Sequence, residues 1–130
     1  MSWDTSDIND NDIITQDGVF AYLFTASGTI YAGQAVKIVD DNTVVVTSSG
    51  DDGIGIAAMT ATHGNQLGIF GPGNIVVTAI AGNYPVGTSL YAGDYGLMVS
   101  SQSSSERVMG LVVKAGVQSS TNYKATVLLI

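Results

Sequence analysis

His63 is the single histidine of the chain and lies in Ala61-Thr62-His63-Gly64-Asn65. A serine nucleophile would need it as a general base, with the serine exposed on a sharp turn. No Gly-x-Ser-x-Gly segment supplies that turn, and the setting of His63 between two apolar runs is that of a surface turn. Glu106 is the single Glu and stands beside Arg107. Glycoside hydrolysis needs two carboxyl groups flanking one bond, and a partner for Glu106 could arise only by tertiary proximity. Asp7-Ile8-Asn9-Asp10-Asn11-Asp12 offers oxygen ligands like the opening of a calcium loop. Asp12 occupies the position where such a loop turns on Gly, and no Glu closes it, so the segment reads as a solvated acidic stretch. Gly53-Ile54-Gly55 and Gly71-Pro72-Gly73 lack the third Gly, the following helix and the Lys of a phosphate cradle; they read as turns and bulges. With no Cys, thiol chemistry and zinc–thiolate sites are excluded. The six tyrosines (22, 31, 84, 91, 95 and 123) could floor a sugar site, but their scatter fits packing at strand ends or subunit interfaces better. These residues give no catalytic group, no metal site and no cofactor site, so the expectation is a protein that is not an enzyme.

Composition points to what replaces chemistry. The chain has 130 residues, enough for one domain with a core that needs no disulfide. It is 45% hydrophobic and only 12% charged, with 16 Gly, the make-up of a sheet protein rich in turns. The formal charge is −7, and Lys37, Arg107, Lys114 and Lys124 are its only basic side chains. Neither a nucleic acid nor an anionic membrane is therefore an expected partner. No basic segment followed by an apolar one opens the chain, and no apolar run is long enough to span a bilayer. Synthesis in the cytoplasm without a signal peptide is the corresponding expectation.

The elements that would position any site fall into two parts. Residues 1–17 form an acidic N-terminal arm holding Asp4, Asp7, Asp10, Asp12 and Asp17. It has no sustained periodicity and is expected to be flexible. Its apolar residues Trp3, Ile8, Ile13 and Ile14 are the candidate interaction residues, for a partner protein or for another subunit. An arm of this kind gains order by adding a strand to a neighbour's sheet edge. Residues 18–130 change to short apolar or alternating runs rich in Val, Ile, Thr and Tyr, read as one β-barrel-like domain. Strands are expected at Val19–Thr25, Ala35–Val39, Thr43–Thr47, Ile54–Ala58, Gln66–Phe70, Ile75–Ala79, Ser89–Tyr91, Leu97–Val99, Val108–Lys114 and Ala125–Ile130. Turn signals separate them: Asp40-Asp41-Asn42, Gly50-Asp51-Asp52-Gly53, Gly71-Pro72-Gly73-Asn74 and Asp94-Tyr95-Gly96. No window sustains helical periodicity, so the fold class is all-β, a small barrel or sandwich.

An internal near-repeat refines this expectation. Ala32-Gly33-Gln34-Ala35-Val36 leads through Asp40-Asp41-Asn42 to Val44-Val45 and then to Ile54-Gly55-Ile56-Ala57. Val86-Gly87-Thr88-Ser89-Leu90 leads through Asp94-Tyr95-Gly96 to Met98-Val99 and then to Met109-Gly110-Leu111-Val112. Gly33 and Gly87 are 54 positions apart, and Gly55 and Gly110 are 55 apart. A Gly inside an apolar strand marks a bulge or a close backbone approach, which bends a sheet toward closure. The expected architecture is a pseudo-symmetric barrel.

These motifs, with Gly64-Asn65-Gln66-Leu67-Gly68-Ile69 and Gly87-Thr88-Ser89-Leu90-Tyr91, follow one another in a familiar order. From about Thr29 to Ile130 the chain resembles the small capsid decoration, or cement, proteins of tailed viruses. It departs from them at Gln34, where an acidic residue is usual, and in its acidic arm. The resemblance implies a β-barrel-like virion protein on the capsid exterior, bound to the major capsid protein and stabilising the shell. It also implies a homo-oligomer, with a trimer favoured. The alternative of another class is a carbohydrate-binding or adhesin β-module with Tyr as the sugar platform; a third is a small β-barrel subunit of an enzyme.

Overall fold

A computed structural model describes residues 22–119 and 122–130. The arm residues Trp3, Ile8, Ile13 and Ile14, and the expected strand start at Val19, lie outside the described residues. The described residues form ten strands. They are β1 (Tyr22–Ala26), β2 (Ala35–Asp40), β3 (Thr43–Val46), β4 (Gly55–Ala57), β5 (Gln66–Phe70), β6 (Ile75–Ile80), β7 (Ser89–Ala92), β8 (Met98–Val99), β9 (Gly110–Ser119) and β10 (Asn122–Leu129). One short 3-10 turn, Asp94–Gly96, separates β7 from β8.

The strands close into two five-stranded barrels, β1-β3-β2-β4-β5 and β10-β6-β8-β7-β9. The all-β, pseudo-symmetric barrel fold expected from the sequence is the fold observed, and each copy of the repeat closes a barrel of its own. The correspondence extends to register. Ala26 pairs in parallel with Val44 in the first barrel, and Ile80 with Met98 in the second. Ile38 pairs with Val44 and Ala92 with Met98. Val36 faces Gly55 as Leu90 faces Gly110. Gly33 and Gly87 adopt φ of 90° and 92°, a region that costs a residue with a Cβ. Their amides donate to equivalent carbonyls, those of Ala57 and Val112. Closure leaves few free strand edges, the usual route to unwanted sheet pairing.

The glycines that open β4 and β9 are close-approach positions, as their place in apolar strands suggested. A Cβ on Gly55 would collide with the Phe70 carbonyl, and one on Gly110 with the Val127 side chain. The sequence reading fell short at the last hairpin. Residues 115–124 were expected to connect two strands, but β9 continues to Ser119 and β10 begins at Asn122. Tyr123 pairs with Gln118 and Lys124 with Val117, and register shifts mark bulges on either side of Thr126. Polar residues and Gly116 gave this ribbon the look of a loop. Cross-strand bonds hold it nonetheless, with Gly116 admitting the close approach of the Lys124 carbonyl.

Two hydrophobic clusters form the core. The smaller fills the first barrel with Ala26, Ile30, Val36, Val44, Ala57, Ala61, Leu67 and Ile69. The larger fills the second barrel and also takes in Ala32, Ala35, Ile56, Ala58 and Phe70 from the outer side of the first. Burying a side chain as large as Phe70 contributes about 1.5–3 kcal/mol. The two barrels therefore share a core rather than merely a linker.

Candidate docking surfaces

Three of the four buried polar residues, Gln34, Thr47 and Thr78, and the one left-handed aromatic residue among the described residues meet where the barrels join. Thr78 is fully buried in β6, and its hydroxyl donates to the Gly33 carbonyl at 2.6 Å. Thr47, also fully buried, donates through its hydroxyl to the Gly93 carbonyl at 3.0 Å. The turn at Asp94–Gly96 then seats on the first barrel. Asp94 Oδ1 accepts the Ser49 amide at 2.9 Å, and the Thr47 carbonyl accepts the Gly96 amide at 3.2 Å. Gln34 is 4% exposed; its Oε1 accepts the Tyr31 amide, and its Nε2 donates to the Tyr95 carbonyl at 2.8 Å. An acidic residue at position 34 would present an acceptor to that carbonyl, which gives a physical reason for Gln where the resembling proteins carry an acid.

Tyr95 holds φ 60°, and its side chain is 51% exposed. Left-handed backbone in a residue with a Cβ costs on the order of 1–3 kcal/mol and persists where its surroundings fix it. Here the bonds to Asp94, Tyr95 and Gly96 fix it, and the outcome is an aromatic ring held outward on a rigid turn.

The residues that the sequence offered for chemistry are scattered. His63 is exposed in the loop before β5, where its Nδ1 accepts the Gly28 amide at 2.8 Å. Glu106 is 3% exposed, and its carboxylate accepts the amides of Ser103 and Ser104 at 2.9 and 2.8 Å. Its carboxyl is held below the ordinary range, chiefly by the bond from Ser103. Glu106 thus shapes its loop. The neighbouring Arg107 ties that loop to the first barrel: its amide donates to Asp52 Oδ1 and its Nη1 to the Gly53 carbonyl, both at 2.8 Å. Its Nη2 donates to the Ile130 carbonyl. Asp51 accepts the Ser48 amide at 2.8 Å and pairs with Lys37 Nζ at 3.0 Å. The Ser48 bond is the leading reason that its carboxyl also titrates low. Gly71-Pro72-Gly73 is the turn between β5 and β6, with Gly73 at φ 94°. Of the tyrosines, Tyr84 and Tyr123 pack on the larger core cluster.

What the described surface does present is apolar area. Leu23, Ile38, Val39, Ile75, Val86, Val113 and Ile130 are each 40% exposed or more. The charge imbalance lies elsewhere: five of the eleven acidic residues precede Gly18, and all four basic ones follow it. Sequence reasoning missed Gln34, Thr47 and Thr78 because a Gln or Thr in or beside a strand gives no signal of burial; Tyr95 was placed in its turn but not at the junction. The single hint was Gln34 as a departure from a family pattern.

No protein-family model and no curated protein matches the chain. Among solved structures it is similar to the crystal structure of the head fiber gp8.5 N base in bacteriophage phi29. The TM-score is 0.61 at 16% identity, over 82% of this chain and 91% of that one. At that identity the shared property is the fold, and the fold is one found at the base of a fibre on a virus head.

Proposed function

We propose that this chain is a structural protein of a tailed-virus head, bound as a homo-oligomer to the outer surface of the shell and stabilising it. The observation that carries this reading is the fold shared, along 82% of the chain, with the base of a phage head fibre. The sequence resemblance to capsid decoration proteins points to the same place on a virion from independent features. The major capsid protein is the partner on this reading, and a trimer is the assembly. The role calls for complementary surfaces without catalysis. Rigid turns that present side chains such as Tyr95, and exposed apolar residues on closed barrels, suit such a role. A negative chain is not drawn to the packaged genome.

The test is decoration of particles. Shells assembled without this protein are mixed with it, and the bound fraction is measured by sedimentation. Saturable binding at a fixed ratio to the major capsid protein, with a rise in the disruption temperature of the shell, is expected. Absence of binding to such shells overturns the proposal.

A further inference from the structure

The repeat allows each position in one barrel to be compared with its equivalent in the other. The junction within the chain joins two unlike surfaces. One is a face of the first barrel that includes Ala32 and Ala58, 1% and 2% exposed and part of the cluster shared with the second barrel. The other is the hairpin tip of the second barrel, where Ala92 is fully buried and Gly93 and Gly96 lie close against their neighbours.

Each surface has an equivalent that the chain leaves uncovered among the described residues. Ala32 precedes Gly33 and Val86 precedes Gly87, the matched pair of left-handed glycines. Ala58 follows the strand opened by Gly55 as Val113 follows the corresponding residues after Gly110. Val86 and Val113 are 63% and 40% exposed. Ala92 and Ile38 hold the same register position in their hairpins. Ile38 is 55% exposed, and Val39, the equivalent of Gly93, is 53%. Val86, Ile38 and Val39 are the three most exposed large hydrophobic residues of the described chain.

A terminal repeat that faces solvent is ordinarily made polar. Here both open surfaces carry larger apolar residues than their buried counterparts. Their charges are also opposite: the open tip holds Asp40 and Asp41, and Lys114 stands exposed beside Val113 on the open face.

We propose that the Val86–Val113 face of the second barrel binds the Ile38–Val39 hairpin tip of a second copy of this chain. The contact repeats between chains the junction that joins the two barrels within one. It is more nearly side chain against side chain, because Asn42 stands where Gly96 lets the Ala35 backbone of the first barrel approach, and Val39 stands in place of Gly93. Such a contact between unlike faces closes into a ring or continues from copy to copy. The inference stands apart from what the assembly decorates.

The experiment uses the full chain with Ile38→Asp and Val86→Asp, followed by sedimentation velocity and light scattering. The wild type is expected to self-associate, and each variant to associate at least tenfold more weakly while keeping its circular dichroism and melting temperature. An equimolar mixture of the two variants is expected to form dimers and nothing larger, since each mixed pair retains one intact tip and one intact face. If either Asp variant melts early, Lys114→Glu and Asp41→Lys replace them: each alone weakens association, and the double variant restores it. A wild type that stays monomeric, as when residues 1–21 cover the faces within one chain, overturns the proposal. So does an assembly that survives either substitution, or a mixture that yields no dimers.

Discussion

The side-chain amide of Gln34 donates to the carbonyl oxygen of Tyr95 across 61 positions of sequence, joining a buried residue of the first barrel to the strained turn of the second. Loss of one partner of a buried bond costs about 1–3 kcal/mol. Gln34→Ala is therefore expected to lower stability by that amount in urea denaturation. Gln34→Glu sets a carboxylate against the Tyr95 carbonyl, so its folded pKa rises above the unfolded value. Protonation then supplies the missing donor, and this variant gains stability relative to wild type as the pH falls through that raised pKa. A Glu variant as stable as wild type at pH 7 would show that the bond has no such part.

The acid response of the wild type has the opposite sign. Amide bonds hold the Asp51 and Glu106 carboxyls below their ordinary values of 3.8 and 4.5. Depressed folded pKa values give stability that is present above the unfolded pKa and is lost as the pH falls through the folded one. Melting temperature is expected to hold down to about pH 5 and to drop below pH 4. Asp51→Asn and Glu106→Gln should each flatten that acid limb. An acid limb unchanged in both variants contradicts the assignment.

Gly96 and Gly87 separate two causes of glycine dependence. Both have positive φ, 70° and 92°. A Cβ on Gly87 meets nothing within 4 Å, while one on Gly96 would lie 2.8 Å from Gln34 Cβ and 3.0 Å from the Ala35 carbonyl oxygen. Gly87→Ala is expected to cost about 1–2 kcal/mol, the backbone term alone. Gly96→Ala should cost more because the junction must also open. Chemical denaturation of both variants checks the order, and equal losses would mean that the junction yields freely.

Phe70 is fully buried in the cluster that spans the two barrels. Phe70→Ala is expected to destabilise by about 3–5 kcal/mol. Because the cluster is shared, wild type should unfold in one cooperative calorimetric transition, and the variant should tend toward two. A wild type with two resolved transitions contradicts a common core.

Much of this fold was legible in the sequence because short β-branched runs between Asp, Asn and Gly turns leave few alternatives. The matched glycines at 33 and 87 and at 55 and 110 exposed the repeat, since each marks a backbone requirement that other residues meet poorly. Closure into two barrels was not legible, because pairing partners such as Tyr22 and Ile69 are distant in sequence and share no local mark. The extension of β9 and β10 was hidden because polar residues and Gly116 stand there in place of an apolar alternation. The surfaces were least visible of all: Ile38 and Ala92, or Val86 and Ala32, differ in exposure only once the barrels are docked.

The central claim is that this chain belongs on the outside of a virus head. Particles of the virus whose genome carries the gene can be purified, and the protein counted on them by quantitative mass spectrometry before and after mild surface proteolysis. The account expects a fixed ratio to the major capsid protein and accessibility of the chain in intact, DNA-filled particles. Absence from purified particles, or protection of the chain within them, would contradict it.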